Sequence, residues 1–132
     1  MRADQLTTAQ DSYARCCDVP GFFDAFYQNL LGSSPEIPPM FAKTDFGRQH
    51  KLLQHSLGVL LIYAKRKNPA LLERVAVRHS RKEVDVDPSL YPCFVESLIQ
   101  TLREHDPKFS PEVEDAWRVA VEPGIEFMKA KY

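Results

Sequence analysis

A histidine on the apolar face of a helix is the side chain here most suited to chemistry. After Asn68-Pro69, residues Leu72, Val75, Ala76 and His79 recur at i, i+3, i+4 and i+7, so the imidazole of His79 shares a side with aliphatic neighbours. Ring nitrogens placed there must be satisfied internally or bind something, and a lone histidine in such a place is more often structural than a ligand. Two other polar groups are placed alike. Tyr27 puts one hydroxyl on the face carrying Phe23, Phe26 and Leu30, and Gln49 puts one amide in the stripe Phe46, Leu53, Leu57 and Leu60. An apolar pocket with an imidazole on one wall and a phenol and an amide on another suits a flat apolar cofactor with a metal at its centre. The imidazole would ligate iron, while the hydroxyl and amide would donate hydrogen bonds to a polarised diatomic ligand opposite. The competing account is a plain helical bundle in which Tyr27 reaches the surface and Gln49 is solvated. Periodicity alone does not choose between them.

The elements that must position these groups are helices. Asn-Gly and Asp-Gly turns are absent, and sustained alternation occurs only in Glu83-Val84-Asp85-Val86-Asp87, which stops at Pro88 and reads as an extended connection. Phe23, Phe26, Tyr27, Leu30 and Leu31 form an aromatic helix face that ends at Gly32 and Ser33-Ser34-Pro35. A long helix is expected from near Asp45 to about Lys67, apolar on almost every side between Leu57 and Tyr63, with Lys65-Arg66-Lys67 as a solvated basic end. Tyr91, Phe94, Val95, Leu98, Ile99 and Leu102 make one continuous stripe after Asp87-Pro88, which supplies a cap and a first-turn proline. Ser110-Pro111 does the same for a last helix carrying Val113, Trp117, Ala120, Val121 and Phe127. Pro123-Gly124 falls inside that last pattern, where a kink or interruption is expected.

Composition narrows the class. A chain of 132 residues is expected to form one domain, 1–132, and 44% hydrophobic with 27% charged residues is ordinary for a globular protein. A net charge of -1 offers no general pull toward nucleic acid or acidic membranes. Only 5 Gly against 10 Pro argues against a nucleotide-binding α/β fold with Gly-rich phosphate loops. Pro20, Pro35, Pro69, Pro88 and Pro111 instead fall at or near helix starts. Cys16, Cys17 and Cys93 are an odd number with no CxxC or CxxCH spacing, which fits a reducing compartment and small buried thiols. The N-terminus lacks a secretory pattern and Leu57–Tyr63 is too short an apolar run to cross a bilayer, so a cytoplasmic protein is expected.

Several fragments in order carry a resemblance. Phe26-Tyr27-Gln28-Asn29-Leu30, Pro35-Glu36-Ile37 to Met40-Phe41, Gln49 with Leu53, Leu72 to His79, Val86-Asp87-Pro88 with Tyr91, and Glu112-Val113 to Ala116-Trp117 resemble the globin family. The chain is most similar to bacterial single-domain globins and the globin domain of flavohaemoglobins, from about residue 5 to residue 130. The resemblance implies an all-α helical sandwich around non-covalent haem b (iron protoporphyrin IX), with His79 the proximal iron ligand and Phe41 packed on the haem. It makes Tyr27 and Gln49 the distal polar pair, with Leu53 bounding the ligand pocket and Tyr91 behind the proximal histidine. His50, one residue from Gln49, would put Gln54 in the pocket one turn later. It is therefore expected at the surface, kept only as a potential sixth ligand, and His55 and His105 are expected exposed or partly exposed.

The implied function is reversible binding of dioxygen and other diatomic gases, by a monomer or homodimer without nucleic-acid or membrane partners. Alternatives are nitric-oxide dioxygenation with an external reductase, a haem-based gas sensor, or a haem-free interaction module. Two departures bear on this choice. In flavohaemoglobins a tyrosine and a glutamate behind the proximal histidine tune its basicity. Tyr91 fits that tyrosine after a slightly longer connection from His79, whereas the glutamate's position falls on Tyr132. The chain also stops where a flavin reductase domain would begin, so turnover that oxidises iron would need an external electron donor.

Overall fold

The computed structural model describes residues 3–80 and 86–132. Its helices are α1 (Ala3–Cys17), α2 (Phe22–Leu31), α3 (Phe46–Arg66), α4 (Ala70–His79), α5 (Tyr91–His105) and α6 (Pro111–Ala130), with 3-10 turns at Pro38–Phe41 and Pro88–Leu90. No strand occurs among the described residues, and the fold is all-α. Glu83, Val84 and Asp85 of the expected extended connection lie outside the described residues; just beyond them, the Val86 N–H donates to the His79 carbonyl at 2.8 Å.

Local chemistry sets the helix starts. The Asp45 carboxylate accepts from the Arg48 N–H at 3.3 Å and begins α3, and the Ser110 hydroxyl accepts from the Val113 N–H at 3.2 Å ahead of Pro111 in α6. Asp87 is also a cap, but of a different element. Its carboxylate accepts from the Ser89 N–H at 2.9 Å and closes the turn Pro88–Leu90, so α5 begins only at Tyr91. α3 ends on Lys67 in the left-handed region at φ 56, unusual for a side chain with a Cβ, and the helix's basic last turn is exposed.

α6 lies against α1, α3 and α4, while α2 packs on α5. Trp117, Val121, Leu57, Leu72, Leu98, Ile99 and Leu102 are fully buried where these helices meet. The expected interruption at Pro123 does not occur: α6 runs unbroken to Ala130. Pro123 lacks the N–H that would bond the Val119 carbonyl, but tertiary packing overrides that loss. Gly124 lies so close to α3 that a Cβ there would meet Leu60 Cδ2 at 2.3 Å, and Ile125 and Met128 are buried just beyond it.

A second long-range tie joins α1 to the α5–α6 connection. The buried Asp106 carboxylate accepts from Ser12 at 2.6 Å, from Arg15 at 2.8 and 2.9 Å, and from the Lys108 N–H at 2.9 Å. Burial pushes this carboxyl up, yet those four donors outweigh it and hold it below its ordinary value. All three cysteines are free, and burial pushes the Cys16 thiol up to about 12, leaving it an inert apolar group. No helix among the described residues is long and apolar enough to cross a membrane.

Candidate functional site

A cavity of about 540 Å³ opens between α2, α3 and α4, within the range of cofactor sites. Its α3 wall is Gln49, Leu52, Leu53, Ser56 and Leu60, the i, i+3, i+4, i+7, i+11 stripe of one helix face. α2 contributes Phe26, Tyr27 and Leu30, and the turn after it contributes Phe41. His79 and Val75 line the α4 wall, Tyr91 and Phe94 come from α5, and Ile125 and Met128 close the floor from α6. Thus His79, Phe41, Leu53, Tyr91, Tyr27 and Gln49 all face one space.

The imidazole of His79 is held by its own helix. Its Nδ1 lies 2.8 Å from the Val75 carbonyl, an atom that only accepts, so Nδ1 carries the proton and Nε2 keeps the lone pair. Burial lowers the pKa of this ring, the bond to Val75 opposes that, and the neighbouring Arg78 charge adds to the lowering. The result is a neutral imidazole with a free basic nitrogen. Among the described residues no group of three or more His, Cys, Asp and Glu side chains converges.

Tyr27 and Gln49 touch. The Gln49 amide Nε2 donates to the Tyr27 hydroxyl at 3.0 Å, and that hydroxyl reaches the Gln49 backbone carbonyl only at 3.4 Å, a long bond. Burial pushes the Tyr27 phenol up to about 12 despite the opposing bond from Gln49, so it is a neutral donor at physiological pH. Burial likewise pushes Tyr91 up to about 12.

His50, expected at the surface, is half-buried. One residue on from Gln49, it turns away from the cavity and stacks on Tyr27, with centroids 5.6 Å apart and planes 10° apart. Its Nε2 is buried and without a hydrogen-bond partner. Gln54 is exposed and outside the cavity, whereas Leu53 is buried and lines it, consistent with the Gln49 register. His55 is exposed but reaches the rim, and His105 is half-buried with its ring 6.3 Å from that of Phe22.

Residues absent from the sequence reading also line the cavity. These are Leu71, Arg74 and Arg78, which with Val75 repeat at i, i+3, i+4 and i+7, a second stripe on α4 that shares Val75 with the one used to find His79. Leu71 is 50% exposed, so this stripe forms the mouth, and Arg74 and Arg78 bring two positive charges to it. That spacing is present in the sequence, but it becomes part of a cavity only because α3 supplies the opposite wall.

The all-α fold encloses an apolar cavity lined by one imidazole, a tyrosine and an amide. The globin family model matches residues 24–123, and the chain belongs to the globin family. It is similar to the crystal structure of protein PA3967 from Pseudomonas aeruginosa PAO1, described as structurally highly homologous to a human hemoglobin. The TM-score is 0.94 at 37% identity, covering 97% of this chain and 98% of that one. No curated protein matches the chain.

Proposed function

We propose that this chain, as a single globin domain over residues 1–132, holds haem b non-covalently and binds dioxygen and other diatomic gases reversibly. The observation that carries the reading is the opposition of a free His79 Nε2 on one wall to the Tyr27–Gln49 pair on another, inside one apolar cavity. The residues present fit the group. His79 would ligate the iron, Phe41 and Leu53 would offer apolar contact, and the charges of Arg74 and Arg78 at the mouth would suit the cofactor's carboxylates. Bound haem supplies an iron position at which a diatomic gas coordinates reversibly. Tyr27 and Gln49 would donate hydrogen bonds to the polarised gas and slow its escape.

One observation favours binding over redox turnover. The Nδ1–H of His79 meets a neutral carbonyl, not a carboxylate, so the imidazole is less basic than in a site tuned for oxidative chemistry. An external reductase would return oxidised iron to the ferrous state, and the free cysteines fit a reducing, cytoplasmic setting. The test is the spectrum of the purified, haem-reconstituted chain. An intense Soret band that is lost or grossly altered in His79→Ala supports the assignment; a wild-type chain that never acquires the band overturns it. Sustained nitrate production from nitric oxide with an added reductase would shift the reading to dioxygenation.

A further inference from the structure

The hydrogen bonds around Tyr27 do not fix its hydroxyl. The bond it donates is 3.4 Å long, and the one it accepts comes from a glutamine side chain with its own rotatable torsions. What defines the ring's place is packing. Phe26, Phe41 and Phe46 present edges, at centroid distances of 5.2, 5.6 and 5.5 Å and interplanar angles of 80°, 64° and 68°. Among the described residues, only His50 lies parallel to the phenol face, at 5.6 Å and 10°. Because Nε2 of His50 is shielded from water and makes no hydrogen bond, the imidazole meets Tyr27 as a flat ring and not as a donor or acceptor.

We propose that His50 is a positioning residue of the distal pair: its ring, stacked flat on Tyr27, keeps the Tyr27 hydroxyl beside the Gln49 amide and aimed at the gas. The mechanism is a lever. A phenol free to tilt on one face moves most at its hydroxyl, the atom farthest from the Cα, and a hydrogen bond to a ligand weakens steeply with distance and angle. The inference rests on the proposed gas-binding site and adds to it a residue that lines none of the cavity.

Two measurements test it. In haem-loaded protein, oxygen dissociation is timed for wild type, His50→Ala, His50→Phe, Tyr27→Phe and the double variant His50→Ala with Tyr27→Phe. In the haem-free chain, ring-proton shifts of labelled tyrosine are followed by NMR, with only 5 tyrosines to assign. His50→Ala should speed dissociation about fivefold to tenfold, part of what one lost hydrogen bond confers. It should also move the Tyr27 ring shifts. His50→Phe should restore both, and His50→Ala should add nothing once the Tyr27 hydroxyl is gone. His50→Leu, which fills the space without a flat face, replaces His50→Ala if that variant does not fold. An unchanged rate and spectrum in His50→Ala overturns the proposal. So does a His50→Phe that behaves like His50→Ala, or an equal acceleration without the Tyr27 hydroxyl. A chain that takes up no haem removes the proposed function instead, and the ring shifts still decide the stacking.

Discussion

The Nδ1 of His79 lies 2.8 Å from the carbonyl of Val75, one turn earlier in α4, and that bond aims the other nitrogen's lone pair away from the helix backbone. Its partner is main chain, so no side-chain substitution one turn back removes it. His79→Gly should lose the Soret band in haem-loaded protein and regain it on addition of free imidazole, read by absorption. His79→Ala should lose it as well.

The same ring gives the haem-free chain a pH dependence. Burial, with Arg78, outweighs the bond to Val75 and holds the imidazole below its ordinary 6.5. As pH falls through that ordinary value the unfolded chain takes up a proton that the folded chain refuses, so stability drops until the folded value is passed. Urea midpoints at about pH 7 and about pH 5.5 should differ more for wild type than for His79→Leu.

Tyr27→Phe removes the donor and keeps the ring. Oxygen dissociation should speed by roughly tenfold to a hundredfold, the equivalent of one hydrogen bond to a polarised partner. Gln49→Leu should accelerate it less than additively with Tyr27→Phe, because the amide donates to that hydroxyl at 3.0 Å. Stopped-flow displacement of oxygen by carbon monoxide measures both.

Asp106 is the tie most sensitive to acid. Burial raises its carboxyl, but the bonds from Arg15, Ser12 and the Lys108 N–H bring it below the ordinary 3.8, so its contribution is full above that value and lost as pH falls through the folded one. Arg15→Ala leaves a buried charge short of its partner and should cost about 3 kcal/mol in chemical denaturation. Arg103→Ala, which breaks an exposed pair with Glu114, should cost under about 1 kcal/mol.

Two glycines should respond in opposite directions. At Gly124 a Cβ would lie 2.3 Å from Leu60 Cδ2, so Gly124→Ala forces α6 from α3 and should cost about 1–3 kcal/mol. At Gly47 the nearest atom is Asp45 Oδ1 at 3.4 Å, so Gly47→Ala should gain up to about 1 kcal/mol from helix propensity. Thermal denaturation of the two variants compares them directly.

Local chemistry made much of this legible. The caps Asp45 and Ser110, the prolines beside helix starts, and the stripes holding Tyr27, Gln49 and His79 depend on neighbours within a turn or two. Such short-range rules therefore placed the helices and the faces that converge. They misjudged features that depend on distant partners. Pro123 lies in an unbroken helix because α6 closes on Leu60, and Asp87 caps a separate turn before α5. His50 is half-buried because an aromatic ring from α2 offers it a flat face. Arg74 and Arg78 carry no local signal of a site, and only the placement of α3 makes them the rim of a cavity. By itself the sequence determined which residues lie on one face of each helix, since that follows from a fixed helical repeat. Only the tertiary structure decided what each face meets, because packing joins residues whose separation along the chain carries no local signal.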